Sequence, residues 1–383
     1  MNPICIVAAK RTPQGRFLGA LSKYNTLELG VAAGKAALAN IDPDLVDLTI
    51  VGRVMPPDQN VARYIALELG IPEDRPGYTV NMVCASGMKA VSLAADAIAL
   101  GQANVVLCGG AESMTNVPHG LEGSRRGKKL GDTVLVDYLV AGLSDLRLKK
   151  QMGEMVEALA SKYEIDRGTQ DAFALSSHLK AVDAQKQSAF GEEMIALPEL
   201  DRDEHPRADT TLDKLASLKP AFNKDGTVTA GNASGINDGA TMLVLCNEKT
   251  AQQHGWTPLA YYGVHDEVGV APDHFGIGPA TVTKKLCDKH NLRLNDFDTI
   301  EINEAFACQT IACLRDLGLP DNEKRLNLEG GAVALGHPVG ASGARIIAHL
   351  AHRIHRGDSK QTIASLCVGG GMGIGAVISE KPA

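Results

Sequence analysis

Cys84, His337, Cys367 and the Asn303-Glu304 pair are the side chains of this sequence whose surroundings suit chemistry. Cys84 stands where a strand-like run, Tyr78 to Met82, turns into a helix opened by Ala85-Ser86-Gly87. A helix start carries partial positive charge and unpaired N–H groups. Both favour thiolate over thiol, and the same N–H groups can hold an oxyanion. A small buried core cysteine is the plainer reading. His337 lies in Gly330-Gly-Ala-Val-Ala-Leu-Gly-His-Pro-Val-Gly-Ala-Ser-Gly, where glycines allow close backbone approach and Pro338 fixes the next turn. An imidazole there can serve as general base to a thiol, or can cap and pack. Cys367 ends a strand and meets Gly369-Gly-Gly-Met-Gly-Ile-Gly. A second thiol beside a glycine loop can act as acid or base; alone it also reads as structural. Asn303-Glu304-Ala305-Phe306 follows a strand directly, the end at which α/β sites collect, although the pair could equally cap the next helix.

Other groups carry weaker signals. His349, His352 and His355 fall on one predicted helix, a weak metal pattern with no matching carboxylate motif. Cys308 and Cys313 do not share a helical face. The glycine run after Cys367 precedes a strand, not a helix, so it is no dinucleotide fingerprint. Arg125, Arg126, Lys128 and Lys129 form a basic stretch that is either a solvated loop or a contact to a phosphate or a neighbouring subunit.

The elements that must position these groups alternate. Strands are expected at 4–9, 48–54, 78–82 and 104–107, and helices at 26–39, 60–69 and 86–100, which implies an α/β layer fold. Residues 118–231 are charged and mostly helical or irregular, with the clearest helix at 166–188 and Asp166 as its cap. The α/β texture returns from Tyr261, with strands at 299–302, 363–368 and 374–379 and helices at 305–317 and 342–355. At an offset of 256 residues, Cys84-Ala-Ser-Gly-Met-Lys-Ala-Val aligns with Gly340-Ala-Ser-Gly-Ala-Arg-Ile-Ile. Each helix is followed by a strand ending in cysteine and glycines, which pairs Cys367 with Cys108. Two duplicated halves are therefore expected, with 1–117 plus 232–256 as the first, 118–231 as an inserted loop domain and 257–383 as the second.

Composition bounds the function. The 383 residues suffice for two or three domains. The net charge of −7 argues against nucleic acid as a partner. No apolar run approaches the ~18 residues of a membrane span. Without a signal-peptide pattern, the eight cysteines read as reduced thiols in a cytoplasmic protein. The C-terminal Lys381-Pro-Ala is not a peroxisomal address.

Six motifs in order resemble those of the thiolases: Cys84-Ala-Ser-Gly, Gly109-Gly-Ala-Glu-Ser-Met, Thr229-Ala-Gly-Asn-Ala-Ser-Gly, Asn303-Glu-Ala-Phe, Gly336-His-Pro-Val-Gly-Ala-Ser-Gly and Cys367-Val-Gly-Gly-Gly-Met-Gly. The pattern is most similar to the short-chain, acetoacetyl-CoA type. The resemblance implies two βαβαβαββ halves in a layered α/β/α/β/α core, with a loop domain over coenzyme A. It implies that Cys84 carries the acyl group and Cys367 moves the α-proton. His337 would activate Cys84 and, with a water on Asn303, form one oxyanion hole; the N–H groups of Cys84 and Gly369 would form the other. Ser234 would touch pantetheine and Arg207 the nucleotide, while Met152, Phe275 and Phe306 would line the substrate site. Acetyl-CoA, acetoacetyl-CoA and CoA are the implied partners, with no metal or redox cofactor and a homodimer or homotetramer as the assembly. A 3-ketoacyl-CoA thiolase of longer chain length is the alternative; a non-catalytic acyl-CoA or lipid binder is more distant. Departures from the pattern are Ala85 for glycine, Gln151 for histidine, Glu329 for asparagine, Phe275 for methionine and a shortened 55–60 segment.

Overall fold

The computed structural model describes residues 3–57 and 59–382. Met1, Asn2, Ala383 and Asp58 of the shortened segment lie outside the described residues. Apolar β-branched runs build nine main strands: β1 (Ile4–Arg11), β2 (Leu48–Gly52), β3 (Gly77–Val80), β4 (Val105–Ser113), β5 (Asn237–Asn247), β6 (Ala260–Gly269), β7 (Thr299–Ile302), β8 (Gln361–Val368) and β9 (Met372–Ser379). Eight longer helices connect or cover them: α1 (Thr26–Ala37), α2 (Val61–Glu68), α3 (Ser86–Ala99), α4 (Met152–Lys162), α5 (Arg167–Lys186), α6 (Gly278–His290), α7 (Ala307–Asp316) and α8 (Ser342–His355). Local chemistry sets their starts. Asn25 and Glu28 close a capping box on α1, and the Asp166 side chain accepts from the Thr169 N–H at the start of α5.

The strands run in the order β7-β8-β9-β6-β1-β5-β4-β2-β3, with Gly15–Arg16 added beside β5. Each half repeats one pattern. In the first, β3, β2 and β4 are parallel, and β5 and β1 follow antiparallel. In the second, β7 and β8 are parallel, β9 and β6 follow antiparallel, and a single parallel bridge from Ile300 to Leu326 stands where β3 would be. The halves join through three residue pairs, Ile4–Ile6 against Ala260–Tyr262.

Helices α3 and α8 lie between the halves and share one apolar core with strands of both. Helices α1 and α2 cover the outer face of the first sheet, and α6 and α7 that of the second. This is the expected α/β/α/β/α layering. Close approach of the central helices requires glycine. A Cβ on Gly87 would lie 2.8 Å from the Ala344 nitrogen, and one on Gly343 would lie 2.5 Å from the Met88 nitrogen.

The strand bounds correct one expectation. The offset of 256 that aligns the two central helices also aligns the strands that follow them, Val105 at the start of β4 with Gln361 at the start of β8. Cys108 therefore corresponds to Ala364, and Cys367 to Ala111. The Leu-Cys motif shared by the two strands is shifted by three residues and does not mark equivalent places.

Residues 118–231 hold α4, α5 and irregular chain, tied to the core by buried charges. Arg11 donates to both Asp203 oxygens at 2.7 and 2.9 Å and to Glu193 at 2.7 Å. Glu193 accepts in turn from His349 Nδ1 at 2.8 Å, and His349 Nε2 meets Glu329 at 3.1 Å. Arg353 pairs with the other Glu329 oxygen. The unusual Glu329 thus completes a line of alternating charges. The three histidines do not converge: His349 sits between carboxylates, His352 Nε2 meets the Ala9 carbonyl at 2.8 Å, and His355 is exposed.

Candidate active site

The turn carrying Cys84 is built by short-range bonds. Ser86 Oγ accepts from the Met82 N–H at 2.9 Å and donates to the Val83 carbonyl at 2.6 Å. Val83 N–H donates to Asn81 Oδ1 at 3.0 Å. Val83 takes φ of +48°, a left-handed conformation that is strained for a β-branched residue. Cys84 thereby reaches a cleft of about 530 Å³ whose wall also includes Met55, Met152, Val339, Gly369 and Gly370.

The backbone N–H groups of Gly369 and of Cys84 itself act on the Cys84 sulfur. They do not make it a resting thiolate. Burial pushes the thiol up to about 11, against the lowering effect of those donors. The expectation that the helix start would favour the thiolate is thus reversed, because lost hydration outweighs a partial charge. Cys367 is fully buried; burial first, then the charges of Cys84 and Cys313, raise it well above an ordinary thiol. The two sulfurs therefore act on each other although 283 positions separate them in the chain.

His337 is 5% exposed and its ring is held from the far side. Ser342 Oγ donates to the Pro338 carbonyl at 2.9 Å and lies 2.6 Å from His337 Nδ1. With the hydroxyl proton on Pro338, Nδ1 carries the ring proton and Nε2 keeps a lone pair. Nε2 is buried with no protein partner, so it makes no hydrogen bond to Cys84 at rest. Burial first, then the Arg345 charge, lowers the imidazole to about 4, which keeps it neutral. The His337 N–H donates to Asn237 Oδ1 at 3.0 Å, fixing the loop.

Asn303 is 1% exposed, and both its side-chain oxygen and nitrogen lack a protein partner. It does not cap α7, whose cap position is Phe306 with no side-chain bond. Its neighbour Glu304 anchors the segment, accepting from Ser177 at 2.7 Å, Asn327 at 2.8 Å and the Val333 N–H at 3.1 Å. Buried polar groups without partners are rare, and Asn303 and His337, two of the predicted site residues, are among those of the described residues.

The other predicted residues divide. Phe275, Phe306 and Cys367 share one apolar cluster, against which Met152 packs. Ser234 N–H donates to the Ala305 carbonyl at 3.0 Å, beside Asn303. Arg207 is exposed, lines no part of the cleft, and is tied by its N–H to His178 Nδ1 at 3.2 Å. Gln151 is an exposed residue at the start of α4. The basic stretch at 124–129 is exposed throughout. Sequence reasoning missed Val83, Ser86, Ser342 and Asn237. The two serines were visible in the repeat, since Ala-Ser-Gly opens both central helices.

Two family profiles match nearly the whole chain, "Thiolase, N-terminal domain" over residues 4–249 and "Thiolase, C-terminal domain" over 256–380. The chain belongs to the thiolase family. This thiolase is similar to an acetyl-CoA acetyltransferase of Cupriavidus necator, 43% identical and covering 100% of both chains. It is equally similar, at 43% identity and 99% coverage of both, to a probable acetyl-CoA acyltransferase of Staphylococcus epidermidis. Among solved structures it resembles the Bacillus anthracis acetyl-CoA acetyltransferase, with TM-score 0.95, 41% identity and 99% of each chain covered. It also resembles the human mitochondrial 3-ketoacyl-CoA thiolase in complex with CoA, with TM-score 0.96, 40% identity and coverage of 99% and 98%. No helix among the described residues of the thiolase is long and apolar enough to cross a membrane.

Proposed function

We propose that this thiolase interconverts two acetyl-CoA with acetoacetyl-CoA and CoA by a ping-pong Claisen reaction through an acetyl-Cys84 intermediate. The observation that carries it is Cys84 in the wall of a cleft with Gly369, whose N–H acts on its sulfur, near enough to the buried Cys367 for an ionised Cys84 to oppose that thiol's ionisation. In the first half-reaction Cys84 sulfur attacks the thioester carbonyl while its proton passes to His337 Nε2. The N–H groups of Cys84 and Gly369 meet the oxyanion. The carbon–sulfur bond of the substrate breaks, and CoA leaves with the proton from His337.

Acylation also leaves Cys84 unable to ionise, so no charge there can oppose ionisation of Cys367. Cys367 passes its own proton to His337 Nε2 and then takes the α-proton of a second acetyl-CoA. His337 and a water on Asn303 meet the enolate oxygen. The enolate carbon bonds to the acetyl carbon, the Cys84–acetyl bond breaks, and Cys84 sulfur takes the proton from His337 while Cys367 keeps the α-proton. Two sets of hydrogen-bond donors serve the two oxygen charges, so the scheme calls for no metal or redox cofactor.

Met152, Phe275 and Phe306 are assigned to the substrate's acyl end, Ser234 to pantetheine and Arg207 to the nucleotide. A broader 3-ketoacyl-CoA range is the second reading, favoured by the bulky, buried Phe275 in the Cys367 cluster and the likeness to the human enzyme. A homodimer or homotetramer in the cytoplasm fits the eight free cysteines and the exposed Leu130, Val134 and Leu135 after the basic stretch. The test is thiolysis of 3-ketoacyl-CoAs of increasing chain length, followed by loss of the magnesium-enolate absorbance. Fastest turnover of acetoacetyl-CoA is expected. Absence of turnover on every length in a folded sample would overturn the reading, and a maximum at longer chains would establish the second.

A further inference from the structure

Unsatisfied polar atoms do not stop at Asn303 and His337. Glu301, 1% exposed on β7, has no protein partner at either carboxylate oxygen. Arg345, 2% exposed on α8, has none at Nε or Nη2. Glu301 and Asn303 are two residues apart, and the β7–β8 ladder continues through the Asn303 N–H to the Ser365 carbonyl at 3.0 Å, so their side chains share a face. Arg345 stands three residues after Ser342, on the helix face from which Ser342 holds the His337 ring. Polar groups this deeply buried are satisfied by internal water when protein supplies no partner.

We propose that Arg345 is a positioning residue for the reaction: with Glu301 and Asn303 it holds a small set of internal waters behind His337, and its cation keeps that ring ready to accept a proton. Arg345 touches no reacting atom; it acts through His337. Among the described residues it is the charged side chain that bears on the ring, since Ser342 and Asn237 are neutral and Cys84 rests as a thiol. Around Glu301 the charged groups are Arg345 and His349 of α8, Glu329 of the preceding loop and Glu304 beyond β7. An imidazole protonated at working pH could not take the Cys84 proton; burial disfavours that form first, and a buried cation facing the ring adds to it.

This inference rests on the assignment of His337 as base to Cys84, but not on which thioester is the substrate. Its test is therefore the pH dependence of Cys84 alkylation by iodoacetamide, read by mass spectrometry on the full chain without any CoA ester. Arg345→Met should move the acid limb of that profile up by a pH unit or more, and Arg345→Lys should return it most of the way. Losing the cation leaves Glu301 uncompensated, so Arg345→Met could fail to fold. The double variant Glu301→Gln/Arg345→Met removes both charges. Burial pushes the Glu301 carboxyl up to about 7, so it is already protonated on the acid limb, and its loss should leave the shift intact. A folded double variant whose limb coincides with that of the unmodified chain, whatever its turnover, would overturn the proposal. Failure of every acyl-CoA to turn over, with the limb shifted as expected, would instead count against the substrate assignment alone.

Discussion

The two halves share a skeleton and divide the chemistry. Ala-Ser-Gly opens both α3 and α8, and each helix start has its serine bonded back onto the preceding turn. The first half then supplies Cys84, where the second has Gly340. The second supplies His337, Asn303 and Cys367, where the first has Asn81, Gly52 and Ala111. Ile50 faces Cys108 as Glu301 faces Ala364, so the second half is also the polar one at its core. Duplication provided two equivalent helix starts facing each other. A nucleophile needs only one of them, and the vacated one leaves room for the groups that move protons.

That division is broken most severely at the sulfurs. Cys84→Ala should abolish both acylation and turnover, with turnover falling by roughly 10⁴-fold or more, as for other covalent nucleophiles. Cys367→Ala should lose condensation comparably yet still become acetylated by acetyl-CoA. Mass spectrometry of the two variants after mixing with acetyl-CoA checks this. Acetylation of the Cys84→Ala chain at Cys367 would invert the roles.

Asn303 comes next. Asn303→Ala removes the holder of the water that donates to the enolate oxygen, for which the expected loss is about 10²–10³-fold in kcat. The rate of Cys84 alkylation should be unchanged, because the other oxyanion hole and the base remain. Equal losses in both measurements would mean that Asn303 only holds the loop.

The halves also differ in how their central helices are wired. In α3 the position matching His349 is Leu93, whereas α8 carries His349 between Glu193 and Glu329. Burial opposes the imidazolium, but the Glu193 charge and the two hydrogen bonds prevail and raise it from 6.5 to about 9. A raised pKa contributes stability that is complete below the unfolded value and is lost as pH climbs through the folded one. The contribution is roughly 3 kcal/mol at most. Urea melts between pH 6.5 and pH 9 should show it falling away. His349→Leu copies the first half and leaves each carboxylate an arginine, Arg11 or Arg353. Its stability should change less over that range, and a slope like that of the unmodified chain would exclude His349 as the source.

Much of this was legible in the sequence, and the limits have physical causes. Helix α8 was bounded by its own residues, since Ser342 and the run to His355 mark both ends. The duplication was visible because close-packed helix starts demand glycine at fixed spacing. The strand equivalence was misread because Leu-Cys followed by glycines is a local pattern, while register is set by cross-strand partners. Cys84 and His337 stood out by position. Their ionisation did not, because desolvation depends on residues distant in the chain that close over them. Ser342 and Arg345 went unremarked for a like reason: their importance lies in what they face.

Reciprocity between the helices gives a smaller effect. Gly87→Ala and Gly343→Ala each push a methyl group into the other helix's backbone. Each should cost about 1–3 kcal/mol of stability. The double variant should fall short of the sum, since the two sites share one contact. Thermal melts of the three chains measure the coupling, and strict additivity would mean that the helices yield independently.

The smallest effect expected is at Val83, where the halves part in backbone as well as side chain. Val83 has a left-handed φ; its counterpart Val339 does not. Glycine would adopt that conformation without strain, but it gains freedom in the unfolded chain. These terms oppose, so Val83→Gly should leave stability within about 1 kcal/mol. Turnover should nevertheless fall several-fold. A Cβ on Gly369 would lie 3.3 Å from Val83 Cγ1 and 3.4 Å from the Met152 sulfur, so the valine side chain is one of two that pack beside the Gly369 donor. Kinetics at saturating CoA and a thermal melt together separate the outcomes. Unchanged turnover with raised stability would show that the strain is merely tolerated. Reduced turnover at equal stability would show that the turn's shape serves the donor beside Cys84, a demand the second half never faces.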